Sequence, residues 1–223
     1  MELGAFVLSW PLLRYRLPKG DGHPVLILPG FMTGDTFTLP LRYLLESLNY
    51  APHRWRLGAN FGPSPSIGKR LYMRVKDLRH RYGKKVSIVG WSLGGIYARE
   101  IARELPNHVR QVITLGSPFA DISSNNTNIG WLFETVSGQR IPDLDPALVE
   151  RLNQPLPVPM TAIYSHRDGI AAWQSCMEKQ AGPLAENVRV NSSHCGMGHN
   201  PLVMRCIADR LAQAEGAWRP FHQ

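Results

Sequence analysis

Apolar residues follow two alternating patterns along the chain. Short apolar runs predict buried strands, and longer stretches with apolar positions three and four residues apart predict helices. The predicted strands cover residues 25–28, 53–57, 86–89, 109–115, 160–164 and 188–190. The predicted helices cover residues 39–48, 67–82, 94–104, 146–152 and 201–214. Strands that alternate with helices form right-handed crossovers, so this order predicts an α/β fold with a mainly parallel sheet of about six strands flanked by helices.

Length and composition are those of one globular domain. The chain has 223 residues, of which 43% are hydrophobic and 19% charged, so it can bury a sizeable core. We expect a single domain over residues 1–223, in which residues 119–157 are long enough for a small cap at most. No apolar run reaches the roughly 18 residues of a membrane span, so stable membrane insertion is not expected.

The chain is basic, with a formal net charge of +8. Much of the excess lies at residues 69–85, where Leu71, Val75 and Leu78 recur at helical spacing among lysines and arginines. That pattern is typical of the solvated outer face of an amphipathic helix. It lacks the interleaved stacking residues of a nucleic-acid surface, so no nucleic-acid partner is expected.

The three cysteines, Cys176, Cys195 and Cys206, lie outside any CxxC spacing. They indicate neither a zinc site nor a disulfide framework, and they are typical of reduced thiols in a cytoplasmic protein. A single disulfide between Cys176 and Cys195 is the alternative. The apolar run at residues 3–13 is followed rather than preceded by arginines, which is the wrong charge order for a secretory signal and favours a cytoplasmic location.

Ligands of a parallel sheet bind beyond the carboxyl ends of its strands, so candidate chemistry is expected just after each strand. The sequence Gly90-Trp91-Ser92-Leu93-Gly94-Gly95 follows the third predicted strand and opens the next helix. It fits the G-x-S-x-G pattern of a nucleophile elbow, in which a serine occupies a sharp turn between strand and helix. The context of strand and helix makes Ser92 a candidate nucleophile.

At these residues the chain resembles the α/β-hydrolase family, and in particular its compact serine lipases and esterases without a lid. The resemblance spans residues 23–212 and depends on three segments, in the family order of serine, acid and histidine. Residues 90–95 match the elbow, residues 163–168 look like the strand end that carries the acid, and residues 193–197 look like the loop that carries the histidine.

A serine hydroxyl needs a neighbouring base to take its proton and a carboxylate to orient that base. Asp168 is our candidate acid because it lies just beyond an apolar strand. Asp121 follows the preceding strand and is an alternative. Asp143 and Asp145 lie in the looser region and are weaker alternatives.

Two histidines follow the last predicted strand. His194 comes directly after that strand, beside small residues that would let its loop fold back over the serine, and it is our candidate base. His199 precedes Asn200 and Pro201, which are typical of a helix start, so packing or capping is its expected role. His199 stays open as the alternative base.

Acyl transfer also requires two backbone donors for the oxyanion. The resemblance implies that the first is the N–H of Leu93, the residue after the nucleophile. Residues 28–32 resemble the family's oxyanion loop, and the matching donor is the N–H of Phe31. Pro29 stands where the family commonly has a histidine, which affects loop orientation but leaves the main-chain donor in place.

Apolar residues near these segments are candidates for the acyl pocket. We expect Trp91, Met32 and Met197 to line it, and burial in the hydrophobic core is the alternative for each. The chain has no phosphate loop, no GxGxxG after a strand and no HExxH, so neither a metal nor a cofactor is implied.

These residues predict a serine carboxylic-ester hydrolase, an esterase or lipase, that acts through Ser92, His194 and Asp168 and an acyl-enzyme. Its expected substrate is a small-molecule or lipid ester. An acyltransferase, thioesterase or amidase with the same three residues is the alternative enzyme. A noncatalytic binding protein of the same fold is the alternative from another class.

Overall fold

The computed structural model describes residues 2–120, 150–151, 153–180 and 182–221. Asp121, Asp143 and Asp145, three of the candidate acids, lie outside these residues. So do most of the region expected as a small cap and most of the helix predicted at residues 146–152.

Six parallel strands form one sheet, as the pattern of apolar runs predicts. The strand order is β2-β1-β3-β4-β5-β6, and every adjacent pair is parallel. The strands are β1 (Pro24–Leu28), β2 (Ala51–His53), β3 (Val86–Trp91), β4 (Val109–Leu115), β5 (Met160–Tyr164) and β6 (Ala185–Arg189). Every residue of β1, β3 and β4 is buried, as in a sheet covered on both faces.

The two edge strands differ from prediction. β2 is Ala51–His53 rather than residues 53–57, and it pairs with β1 through Pro24 opposite Ala51. The apolar run that suggested the later strand contains Trp55, which is fully buried, and Arg56, whose φ of +61° does not fit a strand. β6 begins at Ala185, before the predicted start at 188, because an edge strand tolerates polar residues that break the apolar run.

Helices cover both faces of the sheet. They are α1 (Glu2–Arg16), α2 (Leu39–Ser47), α3 (Pro65–Tyr82), α4 (Leu93–Glu104) and α5 (Pro201–Ala212). One core cluster joins α1, α2 and α5 to the sheet, and the other joins α3 and α4 to its opposite face. The basic helix α3 buries Leu71, Val75 and Leu78, so its apolar stripe faces the core as expected.

Helix α1 was not predicted by the sequence pattern. Its own apolar residues occur on all sides of the helix, without the 3.6-residue period of an amphipathic helix, and Pro11 lies inside it. Phe6 and Leu13 enter the core, whereas five large side chains stay exposed to solvent. These are Leu3, Val7, Leu8, Leu12 and Tyr15. None of the helices in the described ranges has both the length and the apolar character needed to cross a membrane.

The cysteines are all free. Cys176 and Cys206 are buried, and Cys195 is exposed. The alternative of a disulfide between Cys176 and Cys195 is therefore not realised in this structure. Burial raises the pKa of the Cys206 thiol to about 12.

Candidate active site

Ser92 lies on the sharp turn between β3 and α4. Its φ and ψ are +52° and −121°, a combination that is strained for a residue other than glycine and that is expected of a nucleophile elbow. The turn brings α4 close to β1, since a Cβ atom on Gly94 would overlap the carbonyl of Leu28. Ser92 is 4% exposed.

Asp168 is held by the backbone of its own loop. Its Oδ1 accepts hydrogen bonds from the N–H groups of Ile170 at 2.9 Å and Ala171 at 2.8 Å. Its Oδ2 lies 2.7 Å from Nδ1 of His194. The Asp168 side chain is 1% exposed, so a buried carboxylate fixes the orientation of the imidazole.

The loop that carries His194 is attached to two strand ends. The indole Nε1–H of Trp91 donates to the carbonyl oxygen of His194 at 3.1 Å. The hydroxyl oxygen of Ser165, just beyond β5, accepts from the N–H of Ser192 at 3.1 Å and from that of Arg167 at 3.0 Å. Ser165 thus joins the loop of the acid to the loop of the histidine.

Ser92 and His194 line the same cavity, which has a volume of about 180 Å³. Since Nδ1 of His194 faces Asp168, Nε2 is the ring nitrogen available to the serine. In the described ranges no direct hydrogen bond joins the Ser92 hydroxyl to this imidazole. The structure therefore brings the three predicted side chains to one edge of the sheet and pairs two of them directly.

Gly116 makes room for the acid and the base. It follows β4 with a φ of +51°, and a Cβ atom there would lie 2.8 Å from Oδ2 of Asp168 and 3.2 Å from Nδ1 of His194. A side chain at this position would therefore push against the hydrogen-bonded pair. Gly116 was not predicted as a site residue, although a glycine directly after a central strand is recognisable in the sequence.

The two amides expected as oxyanion donors belong to Leu93 and Phe31. The Leu93 N–H lies in the first turn of α4, where amides have no partner within the helix. In the oxyanion loop the N–H of Met32 already donates to the carbonyl of Asn60 at 2.7 Å. Among the described residues no acceptor bonds the neighbouring N–H of Phe31, and Phe31 lines the cavity.

Asn60 holds the oxyanion loop from the side. It is fully buried, its Nδ2 donates to the carbonyl of Pro29 at 2.9 Å, and its N–H donates to the carbonyl of Thr33 at 2.9 Å. The hydroxyl of Tyr97 donates to its Oδ1 at 3.2 Å. This role of Asn60 was not predicted. The indication in the sequence was the turn-forming run around it, with Gly58 and Gly62 on either side.

The predicted pocket residues divide into two groups. Trp91 and Met32 line the cavity, and the Trp91 ring stacks on Phe37 with centroids 4.5 Å apart. Met197 does not line it but is fully buried in the core behind Gly116. Besides Ser92, His194 and Phe31, the other lining residues are Gly30, Thr33, Phe37, Ile170 and Cys195.

His199 packs against aromatic rings rather than a carboxylate. Its ring meets those of Trp91 and Phe37 edge-on, each with centroids 5.8 Å apart. Burial lowers the pKa of His199. Asn200, the next residue, caps α5 by accepting from the N–H of Leu202 at 2.9 Å. The geometry therefore favours His194 over His199 as the base.

A second serine, histidine and aspartate meet at the opposite edge of the sheet. His23, just before β1, has Nδ1 2.5 Å from Oδ1 of Asp21 and Nε2 2.8 Å from the hydroxyl oxygen of Ser87. His23 and Ser87 are fully buried, and Arg110 also binds Asp21. No substrate can reach this serine, so the cluster is structural.

No metal centre is evident in the part of the chain that the structure covers, where no three histidine, cysteine or acidic side chains are grouped to hold an ion. The candidate site instead consists of Ser92, His194 and Asp168 with two main-chain donors. These groups can supply a nucleophile, a base, an orienting carboxylate and an oxyanion site.

The sheet order, the strained serine after β3 and the placement of acid and histidine define an α/β-hydrolase fold. Solved structures of this fold are similar to the chain. Among them, Aspergillus fumigatus lipase B has a TM-score of 0.65 and 17% identity, over 91% of this chain and 56% of that one. An alpha/beta superfamily hydrolase from Oenococcus oeni has a TM-score of 0.58 and 15% identity, over 87% of this chain and 94% of that one. The predicted fold is therefore confirmed.

Sequence comparison finds a more specific likeness over part of the chain. A pimeloyl-[acyl-carrier protein] methyl ester esterase of Shewanella sp. strain MR-7 is 31% identical over 99 residues, which are 44% of this chain and 36% of that protein. The match thus spans little more than a third of the relative. No protein-family model matches the chain.

Proposed function

We propose that this protein is a serine carboxylic-ester hydrolase. The observation that carries the proposal is the 2.7 Å contact between Asp168 and His194, beside a cavity that His194 shares with a strained serine. An esterase and a lipase among the similar proteins support the same class. Other chemistries of this fold use similar residues, so the site rather than the fold supports the choice.

In the first half-reaction, the Ser92 hydroxyl oxygen attacks the ester carbonyl carbon while Nε2 of His194 takes its proton. Asp168 holds the resulting imidazolium in place, and the N–H groups of Phe31 and Leu93 bind the oxyanion. When the tetrahedral intermediate collapses, the bond to the alkoxide oxygen breaks. His194 returns its proton to that oxygen, and the alcohol leaves an acyl-enzyme on Ser92.

In the second half-reaction, a water molecule takes the place of the alcohol. His194 removes one proton from the water as its oxygen attacks the acyl carbon, and the same two amides bind the oxyanion. The bond to the Ser92 oxygen then breaks, and His194 protonates that oxygen. The carboxylic acid leaves and the enzyme returns to its starting state.

The cavity favours an ester with a short or slender acyl group. Its volume of about 180 Å³ is below the roughly 300–1,000 Å³ of pockets that enclose drug-sized ligands. Aromatic and sulfur-containing side chains of Trp91, Phe37 and Met32 give it an apolar lining. The related Shewanella protein is named as an esterase of a methyl ester, and we extend a preference for small alcohols to this chain.

We expect the protein to act in the cytoplasm on small-molecule or lipid esters, without a nucleic-acid partner. Three free cysteines, one of them exposed beside the cavity, support a reducing compartment. The basic residues of α3 surround an apolar stripe that the core already uses, which supports a solvated face.

Two measurements test the proposal. Initial rates with a chain-length series of p-nitrophenyl esters should show turnover with an early burst, highest for short acyl groups. A fluorophosphonate probe should label Ser92, and Ser92→Ala should lower kcat at least about 10⁴-fold. Ser175→Ala, which changes a buried serine outside the cavity, is the matched control and should retain turnover and labelling. Absence of labelling would favour a noncatalytic binding protein.

A further inference from the structure

Helix α1 is apolar on both of its faces. Phe6 and Leu13 are buried, and Trp10 packs edge-on against Phe6 with ring centroids 5.4 Å apart. The outward face is a stripe formed by Leu3, Val7, Leu8, Leu12 and Tyr15, and Leu8 at its centre is 86% exposed. A helix that is apolar all round is normally covered on every side, so this stripe is typical of a surface that another phase or molecule covers.

Positive charges surround the carboxyl-terminal end of the stripe. Arg14, Arg16 and Lys19 are all exposed there. The one acidic residue of the helix, Glu2, lies at the other end, where its carboxylate accepts the N–H of Ser193 at 2.8 Å. An apolar stripe bounded by exposed cations complements an anionic lipid surface, where acyl chains lie beneath negatively charged headgroups.

The same charges disfavour a second copy of this chain as the occupant. Pairing two outward stripes would bring two sets of Arg14 and Arg16 to one interface, between molecules that each carry a formal net charge of +8. A bilayer instead lets long cationic side chains cover apolar area while their charged ends reach the headgroups.

We propose that the outward face of α1 docks this protein peripherally on bilayers that contain anionic lipid. Leu8 and its apolar neighbours enter the interface, and Arg14 and Arg16 contact the headgroups. The helix lies in the interface plane and does not span the membrane.

Docking of α1 also bears on the candidate active site, and this part of the inference depends on the proposed function. Glu2, in the first turn of α1, bonds the N–H of the residue directly before His194, so the docked helix is attached to the loop of the base. Met32, which lines the cavity, is itself 67% exposed. A docked protein therefore holds the loop of His194, which forms one wall of the cavity, near the lipid surface, and we infer that an ester of limited solubility enters from there.

Vesicle co-sedimentation of the full chain tests the docking. The Ser92→Ala variant is used so that lipid hydrolysis cannot change the vesicles. We expect it to sediment with phosphatidylcholine vesicles that contain phosphatidylglycerol, more weakly with phosphatidylcholine alone, and progressively less as sodium chloride is added. Adding Leu8→Asp should weaken binding at least about tenfold, because the transfer of one leucine to an apolar phase is lost.

Met73→Asp is the matched control, since Met73 is an apolar residue of α3 that is 56% exposed on the other side of the sheet. In the Ser92→Ala background it should bind vesicles as the parent does. Arg14→Gln with Arg16→Gln should reduce mainly the part of binding that depends on anionic lipid. Unchanged thermal unfolding of the Leu8→Asp variant will show that a loss of binding is not a loss of fold.

Three results would overturn the proposal: no sedimentation with either vesicle, equal weakening by Leu8→Asp and Met73→Asp, or a concentration-dependent dimer that Leu8→Asp dissociates. Turnover of a soluble p-nitrophenyl ester by the unmodified protein distinguishes this failure from failure of the proposed function. That reaction needs no lipid surface, so it would persist if α1 does not dock.

Discussion

Trp91 and His194 are joined by a hydrogen bond of 3.1 Å from the indole Nε1–H to the backbone carbonyl, although they lie 103 positions apart in the chain. The residue directly before the candidate nucleophile therefore holds the loop of the candidate base. The contact joins the two loops directly, and we expect the distance between serine and imidazole to depend on it.

The first prediction is that Trp91→Phe lowers kcat about tenfold with a small change in KM, because the histidine loop loses one anchor while the aromatic ring is kept. The measurement is the steady-state rate with a p-nitrophenyl ester. Tyr50→Phe is the control, since it removes the hydrogen bond that the Tyr50 hydroxyl donates to the carbonyl of Ala208 in the core. Equal effects of both substitutions on kcat would show that the Trp91 contact has no special role.

The second prediction concerns the acid. Asp168→Asn should lower kcat roughly 10⁴-fold, because the amide cannot stabilise the imidazolium and can hold His194 in the wrong tautomer. The fold should be retained, since the amide oxygen can still accept from Ile170 and Ala171. Asp121→Asn, at the alternative acid, should leave kcat within about threefold of the parent. The reverse result would assign the acid to Asp121.

The third prediction concerns Asn60, which holds the oxyanion loop through its hydrogen bond to the carbonyl of Pro29. Asn60→Ala should lower the free energy of unfolding by about 1–3 kcal/mol, because the Tyr97 hydroxyl and the Pro29 carbonyl lose a buried partner. It should also lower kcat more than it raises KM, since the Phe31 amide is no longer held in place. Urea denaturation and steady-state kinetics measure the two effects. A variant with reduced stability and an unchanged kcat would show that Asn60 supports the fold alone.

The fourth prediction is a pH dependence of stability that comes from His23. Burial lowers its pKa from 6.5 to about 4 in the folded protein, so the unfolded chain binds a proton first as the pH falls. The stability contributed by neutral His23 is present above pH 6.5 and is lost as the pH falls toward 4. The loss is on the order of 2 kcal/mol between about pH 7 and pH 5.

Urea denaturation at a series of pH values measures this dependence. His23→Gln should flatten the decline, whereas His166→Gln, at an exposed residue, should leave the slope as it is. His53, whose pKa burial also lowers to about 4, will keep part of the dependence in both variants. An unchanged slope in the His23→Gln variant would contradict the assignment.

Much of the candidate site was predictable from local patterns. Ser92 sits in a glycine-rich turn whose backbone geometry depends on a few neighbouring residues, and Asp168 and His194 each follow a strand. Because parallel strands end at one edge of a sheet, their order along the chain was enough to expect these side chains on the same side. The six-strand parallel sheet was predictable for the same reason, since its central strands are buried on both faces and appear as apolar runs.

The surroundings of the site were not predictable in this way. No spacing rule connects the segments whose contacts give Trp91, Phe37 and Asn60 their roles. Met197 was assigned to the pocket because the sequence does not distinguish an apolar residue of the core from one that lines a cavity. The edge strands were misplaced because polar and half-exposed positions interrupt their apolar runs. Helix α1 was missed because hydrophobic residues recur with the helical period only where one face is buried and the other is solvated, and α1 is apolar on both faces. Local backbone geometry and strand order thus specified the candidate reacting groups. Packing between distant segments decided which side chains hold those groups, which line the cavity and which remain exposed on α1.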